Sequence, residues 1–256
     1  MASSDSMRTP LTSSGVSLSG PAPLLLIPSS LQYKLLFAVG KGAMGIVYAA
    51  KRTTKDSGID SAESSTPDLA IKTPLSAKSK STLSTLRAEA TLLTYLHNFA
   101  GAEASILLFH GFDAETHSLA LEYLPHTLTS LVNTSAALGA GRAAFVAATL
   151  PPLAQHLINA LTFCRKASLV HGDIKPGNIL LRTGPGGLST PPTATELAAC
   201  APVLADFGAA HVTGPASPRP FSTTFAAGTY AFIPPEQLRS DAGPPSHAGD
   251  VWVGEC

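Results

Sequence analysis

The stretch His171-Gly-Asp173-Ile-Lys175-Pro-Gly-Asn178-Ile-Leu-Leu181 decides the fold and the chemistry expected of this chain of 256 residues. It places an aspartate, a lysine and an asparagine within six positions, after a predicted helix and before an apolar strand. These side chains supply a base for a hydroxyl group, a cation for a phosphate and an oxygen ligand for a metal ion. A purely structural loop has no particular reason to combine them, so we interpret the stretch as a candidate active site.

A second candidate is the glycine-rich run Gly40-Lys-Gly42-Ala-Met-Gly45-Ile-Val47. Alone it is a weak signal, because a chain with 21 glycines produces such spacings and turn glycines are the simpler interpretation. Apolar runs at 33–39 and 46–50 predict two strands, so the glycines occupy a hairpin, whereas a dinucleotide-binding turn would lead into a helix. A hairpin tip without side chains allows backbone N–H groups to approach a triphosphate closely.

Two charged residues, Lys72 and Glu89, lie in apolar surroundings upstream of the candidate site. Lys72 ends a short apolar strand, where a solvated lysine would be ordinary. Glu89 lies within the apolar stripe of a predicted helix, between Leu86 and Leu93, where an unpaired carboxylate is unfavourable. We therefore expect Lys72 to pair with Glu89, unless Glu89 lies only at the edge of the stripe.

The hydrophobic pattern predicts a strand-rich part followed by a helical part. Short strands are predicted at 69–71, 106–109 and 119–121, a helix at 81–97, helix-prone sequence at 127–149 interrupted by Gly139 and Gly141, and a loop at 183–202. A further helix is predicted to begin at Pro151-Pro152, because proline suits the first turn. Strands followed by helices indicate two lobes and an α+β architecture.

Three more motifs follow the candidate site in order: Ala205-Asp206-Phe-Gly208, Gly228-Thr-Tyr-Ala-Phe-Ile-Pro-Pro-Glu236 and Asp250-Val-Trp252. Together with the glycine-rich run, Lys72 with Glu89, and the 171–181 stretch, they form a series of six. This series resembles the protein kinase family, from about residue 33 to the C-terminus. Each motif is modest alone, but six in this order leave little room for coincidence.

The resemblance implies a bilobal protein kinase-like fold of the α+β class. An antiparallel sheet with one helix would form the N-lobe at about 31–124, and a mainly helical, partial C-lobe would follow at about 125–256. Residues 1–30 are rich in Ser and Pro and are expected to form a disordered tail, because they bury too little apolar surface to fold.

The resemblance also implies an ATP site between the lobes. The glycine-rich hairpin would cover the phosphates, and Lys72, fixed by Glu89, would hold the α- and β-phosphates. Apolar side chains would enclose the adenine ring, and the backbone after the gatekeeper Leu121 would bind its edge. The implied nucleotide-binding residues are Gly40, Lys41, Gly42, Ala43, Gly45, Val47, Ala70, Lys72, Leu121, Glu122, Leu124 and Leu180.

The same resemblance assigns catalytic roles. Asp173 would orient the substrate hydroxyl and accept its proton, and Lys175 would steady the transferring γ-phosphate. Asn178 and Asp206 would hold Mg²⁺. Catalysis of this class consists mainly of positioning and charge neutralisation, which explains the residue types.

The implied substrate is a protein hydroxyl. Lys175 two places after Asp173, together with Thr229, is similar to the Ser/Thr type of the family, although dual specificity stays open. One alternative is a pseudokinase that binds nucleotide or acts as a scaffold without transferring phosphate. A second is an unrelated binding protein with chance motifs, which would gain no stability from Mg·ATP.

Three departures from the family pattern matter. The loops at 53–68 and 183–202 are longer than the family norm, and both fall between motifs, where insertions are tolerated. Gly172 stands where the family has an arginine, so we expect any activity not to depend on phosphorylation near residues 222–224. After Asp250-Val-Trp252 the sequence does not continue the expected buried helix, so an incomplete, C-terminally truncated catalytic domain is predicted. The carboxylate of Glu236 would then lack its arginine partner, and apolar surface would be exposed.

The bulk composition excludes some classes of partner. Lys plus Arg and Asp plus Glu both number 17, so no basic excess favours a nucleic acid or an anionic membrane. No membrane span is expected, since the early apolar run at 24–27 is far too short.

The three cysteines, Cys164, Cys200 and Cys256, show neither disulfide nor metal spacing. This favours a reducing compartment, the cytoplasm or nucleus, with a plastid transit peptide as the alternative. The sequence does not indicate an oligomeric state.

Overall fold

A five-stranded antiparallel sheet with a helix packed on it forms the first part of the structure. The computed structural model describes residues 24–28, 31–53, 66–184, 187–189, 192–213, 230–238 and 245–252. The first elements are β1 (Gln32–Lys41), β2 (Gly45–Thr53), β3 (Leu69–Pro74), α1 (Lys80–Leu96), α2 (Ala102–Ser105), β4 (Phe109–Asp113) and β5 (Ser118–Glu122). The strands lie in the order β1-β2-β3-β5-β4, and α1 contacts β3, β4 and β5.

Helices and two small hairpin-like sheets form the second part. The elements are α3 (Leu128–Ala136), α4 (Arg142–Lys166), β6 (Leu169–Val170), β7 (Ile179–Arg182), α5 (Ala194–Ala198), β8 (Ala201–Leu204), β9 (His211–Val212) and α6 (His247–Trp252). Antiparallel pairs join β6 to β9 and β7 to β8. The predicted α+β, bilobal architecture is confirmed.

One hydrophobic core connects the two parts. The same buried cluster contains Leu93 from α1, Phe109 and Leu121 from the sheet, Leu204 at the end of β8 and Phe207 shortly after it. Fully burying each such side chain contributes about 1.5–3 kcal/mol before ordering entropy is subtracted. The shared core therefore fixes β3 and α1 relative to the end of β8, where the candidate metal ligand follows.

Helix α1 forms where the sequence predicted it. The Oγ of Ser79 accepts a hydrogen bond from the backbone N–H of Thr82 at 3.3 Å, which caps the first turn. The apolar stripe is buried, with Leu86 and Leu93 at 0% and 1% exposure. Glu89 lies on this buried face at 2% exposure, so it is not at the solvent edge of the stripe.

The predicted disordered tail is wrong for residues 24–28. The N–H of Ile27 donates to the carbonyl of Phe112 at 3.0 Å, and the N–H of Phe112 donates to the carbonyl of Leu25 at 2.9 Å. A short apolar run next to the exposed edge of β4 can satisfy the unpaired backbone groups of that edge. Composition averaged over thirty residues conceals this run. Residues 1–23 and 29–30 lie outside the described residues.

Two other expectations are wrong in detail. The strand predicted at 106–109 is displaced, because Ile106 makes only an isolated bridge to Leu204 and β4 begins at Phe109. The loop predicted at 183–202 contains α5 and the start of β8. Leu197 and Cys200 are buried against side chains of α3, α4 and β7, so this insertion is anchored to the C-lobe.

Helix α4 begins at Arg142 and not at Pro151, so both prolines lie inside it. Proline has no N–H, and the carbonyls of Ala147 and Ala148 therefore lack their helical donors. Both alanines are exposed, so water can satisfy these carbonyls. The opposite face of the helix buries apolar side chains such as Leu153, and this packing holds the helix across the prolines.

The segment Gly139–Lys166 is, by length and composition only, the one helix among the described residues that is long and apolar enough to cross a membrane. The sequence-based expectation of no span overlooked it. A single such helix is weak evidence for a span, and here it contacts α2, α3, α5, β6 and β8. Its outer face exposes Val146, Leu150 and Ile158.

Replacing both prolines, as Pro151→Ala with Pro152→Ala, is expected to stabilise the fold. Alanine restores two N–H donors, and proline in a helix interior is less favourable than alanine by about 3 kcal/mol. The more flexible unfolded chain offsets about 0.4–1 kcal/mol for each substitution. We expect the Tm, measured by circular dichroism, to rise by several degrees.

Pro125→Ala is the matched control, because Pro125 is exposed between β5 and α3 and its replacement adds no helical hydrogen bond. Its Tm should not rise. A double variant that melts at a lower temperature than the parent would contradict a continuous α4 and would favour a helix that begins at Pro151.

Candidate active site

Lys72 connects three elements of the fold. It lies on β3, opposite Val47 of β2 and Leu119 of β5. Its Nζ donates to the two carboxylate oxygens of Glu89 at 2.9 and 2.8 Å, and to Oδ1 of Asp206 at 2.8 Å. The pair expected between Lys72 and Glu89 is therefore present, and Asp206 joins it.

Electrostatics keep Lys72 and Asp206 charged at neutral pH. Burial alone would lower the pKa of Lys72, but the carboxylates of Glu89 and Asp206 outweigh it and hold that pKa above its usual 10.5. For Asp206, burial alone would raise the pKa, but the nearby Lys72 ammonium holds it below the usual 3.8. The Asp206 side chain is 48% exposed, so water screens its part of the interaction, whereas Glu89 is enclosed.

The segment between β6 and β7 brings Asp173, Lys175 and Asn178 together. Nζ of Lys175 donates to Oδ2 of Asp173 at 2.6 Å. Nδ2 of Asn178 donates to the same oxygen at 3.0 Å and to the backbone carbonyl of Asp173 at 2.9 Å. These contacts fix the orientation of the Asp173 carboxylate, as proton transfer from a bound hydroxyl requires.

The β7–β8 pair places Asn178 close to Asp206. Ile179 is opposite Leu204, and the N–H of Ala205, which precedes Asp206, donates to the carbonyl of Asn178 at 2.9 Å. The backbone of Asp206 has a φ of 62°, a left-handed conformation that aspartate tolerates better than most residues.

A carboxylate and an amide oxygen fit the preference of Mg²⁺ for oxygen ligands, with substrate phosphates and water as the remaining ligands. Among the described residues there is no group of three or more His, Cys, Asp or Glu side chains that could hold a metal ion. Asn178 and Asp206 supply these two ligand types, so they fit the magnesium site expected from the sequence.

The glycine-rich run forms the β1–β2 hairpin. The N–H of Gly42 donates to the carbonyl of Gly45 at 2.9 Å and closes the turn, with Lys41 and Ala43 exposed beside it. A Cβ at Gly45 would collide with the backbone carbonyl of Thr73 on β3, so only glycine fits there. At Gly40, by contrast, no described residue other than its chain neighbours has an atom within 4 Å of such a position, so that side of the hairpin is open among the described residues.

The apolar residues assigned to the nucleotide site all belong to the main hydrophobic cluster or pack against it. Ala70 is opposite Leu121 in the β3–β5 pair, and both are buried members of the main cluster. Val47, Leu124 and Leu180 are partly buried and pack against the same cluster. The structure thus brings together apolar side chains from both lobes, as a site for a planar ring requires.

The end of β5 is tied to the end of β7 by Arg182, a residue that the sequence did not single out. Nε and Nη2 of Arg182 donate to the two carboxylate oxygens of Glu122 at 2.9 and 2.5 Å. The N–H of Glu122 donates to the carbonyl of Leu108 at 2.9 Å. The two residues are sixty positions apart, and no local sequence pattern indicates a contact over that distance.

Asp250 anchors the candidate catalytic segment. It is 5% exposed and accepts hydrogen bonds from the N–H groups of His171 at 2.7 Å and Gly172 at 2.9 Å. Gly172 has a φ of 75°, and a Cβ there would lie 3.2 Å from the carbonyl oxygen of Ala209. Glycine adopts this left-handed conformation without strain. The motif containing Asp250 was recognised in the sequence, but this contact was not foreseen.

His171 and Phe207 connect the catalytic segment to the end of β8. Their ring centroids are 4.9 Å apart, and Nε2 of His171 lies 3.1 Å from the carbonyl oxygen of Ala205. Phe207 immediately follows Asp206, so this contact fixes the metal-ligand position against the Asp173 segment. Thr229 and residues 222–224, singled out in the sequence, lie outside the described residues.

Removing the charge of Glu89 should destabilise the fold strongly. Glu89→Gln leaves the buried Lys72 ammonium with only the half-exposed Asp206, and breaking a buried pair typically costs about 3–5 kcal/mol. We expect a loss of about 3–4 kcal/mol, at the low end of that range because Asp206 remains, in urea unfolding at pH 7. Glu115→Gln removes an exposed carboxylate and should change stability by less than about 0.5 kcal/mol. Equal stabilities of the two variants would contradict a buried Lys72–Glu89 pair.

The contribution of Asp206 to stability should depend on pH. Its folded-state pKa is lowered, so its stabilising effect is complete above the unfolded pKa near 3.8 and is lost as the pH falls through the lower folded value. The parent protein should exceed Asp206→Asn in free energy of unfolding at pH 6 by less than about 1 kcal/mol, because Asp206 is half exposed. This difference should shrink below pH 4. A difference that grows on acidification would show that the pKa is not lowered.

A family model for the protein kinase domain matches residues 33–255. No curated protein matches the chain significantly. The matched residues include the glycine-rich hairpin, Lys72 with Glu89, the Asp173 segment and Asp206. On this match and this geometry, the chain belongs to the protein kinase family.

Proposed function

We propose that this protein kinase transfers the γ-phosphate of ATP to a serine or threonine hydroxyl of a protein. One observation carries the proposal: Lys72 binds Glu89 and Asp206 at the same time, while Asp173 is oriented by Lys175. Such an arrangement offers a cation for the nucleotide phosphates, a metal ligand and a base in one structure. Preorganised charge of this kind lowers the barrier to phosphoryl transfer.

ATP would enter between the glycine-rich hairpin and the β7–β8 pair. Because the N–H of Glu122 already donates to Leu108, the carbonyl of Glu122 and the backbone of Leu124 are the groups available to the adenine edge. Lys72 would bind the α- and β-phosphates, and Glu89 would keep its ammonium in place. When bound by Asn178 and Asp206, Mg²⁺ would neutralise phosphate charge.

In the transfer step, the substrate oxygen forms a bond to the γ-phosphorus while the bond to the β,γ-bridging oxygen breaks. Asp173 accepts the hydroxyl proton, and ADP carries away the electron pair of the broken bond. Lys175, 2.6 Å from Asp173, would move toward the γ-phosphoryl oxygens and balance their charge. His171 would have a positioning role, because it fixes the segment that carries Asp173.

The Ser/Thr class rests on Lys175, placed two residues after Asp173, and on Thr229. Gly172 supports independence from activation-segment phosphorylation, because a glycine offers no cation for a phosphate. We also propose a reducing compartment, cytoplasm or nucleus, since Cys164 and Cys200 are buried free thiols.

The rival candidate is a pseudokinase that binds nucleotide but transfers no phosphate. The presence of Lys72, Asp173, Asn178 and Asp206 favours catalysis, because each is a group that transfer requires. Nucleotide binding alone would need neither the base nor its orientation by Lys175.

The proposal is tested by incubating the protein with Mg·ATP and peptides that differ only in a Ser, Thr or Tyr acceptor. We expect phosphate on Ser and Thr peptides. Asp173→Asn should lower kcat by about 10²–10⁴-fold, the usual contribution of a general base. Mg·ATP should still raise the Tm of this variant, because Asp173 is not among the residues that hold the nucleotide.

Phosphate transferred only to Tyr would overturn the Ser/Thr assignment. A rise in Tm with Mg·ATP but no transfer by the parent protein would favour the pseudokinase. The absence of any rise in Tm would argue against the kinase and against a nucleotide-binding pseudokinase, and would favour a scaffold that binds no nucleotide.

A further inference from the structure

Residues 24–28, here called the N-terminal strap, add to the open edge of the sheet. Leu26 pairs with Phe112 in a parallel bridge that uses the carbonyl of Leu25 and the N–H of Ile27. Leu24 packs against the main core, and Ile27 packs against a second cluster on the other side of the sheet. The strap is thus held by both backbone and side chains.

Gly111 on β4 makes this contact possible. It has a φ of 140°, and a Cβ there would lie 2.8 Å from the backbone N of Ile27 and 2.9 Å from the carbonyl carbon of Leu26. Any larger residue would push the strap away from β4. The position is therefore shaped for a chain that passes directly over it.

The strap also contacts helix α1. The N–H of Leu25 donates to Oγ1 of Thr94 at 3.1 Å. The Thr94 hydroxyl in turn donates to the carbonyl of Ala90 at 2.8 Å, so its proton is directed into the helix and its oxygen accepts from the strap. Leu25 therefore binds β4 through its carbonyl and α1 through its N–H.

This link lies close to the ion pair of the site. Thr94 follows Glu89 by five residues, a rise of about 7.5 Å along the helix axis. The Glu89 oxygens lie 2.8–2.9 Å from Nζ of Lys72, so a shift of α1 by about 1 Å would take them beyond hydrogen-bonding distance. At its end, α1 is held to β4 through His97, whose Nε2 accepts from the N–H of Phe109 at 3.3 Å.

We propose that the N-terminal strap is a positioning segment, which couples the edge of the sheet to α1 and thereby keeps Glu89 on Lys72. Thr94 is its positioning residue on the helix. The coupling to α1 stands on the geometry alone. Its effect on catalysis rests on the proposed kinase function.

Two matched pairs of variants isolate the coupling. Leu25→Pro removes the N–H that donates to Thr94, whereas Leu26→Pro places the same ring one position later. The N–H of Leu26 points away from β4 in the parallel bridge, and the Leu25 and Leu26 side chains are exposed to similar extents, 43% and 53%. Thr94→Val removes the accepting oxygen at nearly the same shape, and Thr94→Ser retains it.

The first measurement is hydrogen exchange of the α1 amides in the full chain, with the α4 amides as an internal reference. Loss of one hydrogen bond corresponds to about fivefold in an equilibrium. We expect about fivefold faster exchange at 90–97 in Leu25→Pro and Thr94→Val, with unchanged exchange in α4. Leu26→Pro and Thr94→Ser should exchange like the parent protein.

The second measurement is kcat and KM for ATP at a temperature well below the Tm of every variant. Leu25→Pro and Thr94→Val should lose about fivefold or more in kcat/KM, and Thr94→Ser should recover it. Unchanged exchange in α1 overturns the coupling, whether or not the protein is a kinase. Faster exchange with unchanged kcat/KM in an active enzyme overturns the positioning role. If the parent transfers no phosphate, the proposed function fails, and the exchange result still decides the coupling.

Discussion

The ammonium of Lys72 between Glu89 and Asp206 is the interaction on which the arrangement of the site depends. It is the point where β3, α1 and the segment after β8 meet, and each supplies one charge. Glu89 is almost fully enclosed, so its carboxylate is tolerated only with a hydrogen-bonded cation. Because both carboxylates use the same ammonium, the position of α1 and that of the candidate metal ligand are set together.

A second constraint acts on the segment that carries Asp173. The buried carboxylate of Asp250 accepts two backbone N–H groups of the His171 segment, and His171 in turn contacts Phe207. These contacts run from α6 to the residue next to Asp206. Asp173, Asp206 and Lys72, the proposed base, metal ligand and phosphate-binding cation, are thus connected through one set of buried contacts. Their arrangement is fixed by packing as well as by charge.

Three local features show how tertiary packing overrides local preference. Two prolines lie inside α4 because its buried face holds the helix and the orphaned carbonyls are exposed. A short apolar run in a polar N-terminal region becomes an edge strand because β4 presents unpaired backbone groups and a glycine at the crossing point. The insertion before β8 forms α5 because Leu197 and Cys200 can be buried there.

The sequence by itself determined the order of the motifs, the α+β class, the helix that carries Glu89 and the expectation that Lys72 is its partner. These follow from local spacing and from the penalty for an unpaired buried carboxylate, which are readable along the chain. Only the tertiary structure decided that Asp206 joins the pair, that Arg182 binds Glu122 and that Asp250 holds the catalytic segment. Each of these contacts joins residues between 60 and 134 positions apart, and their proximity results from packing of the whole core, which no local pattern encodes.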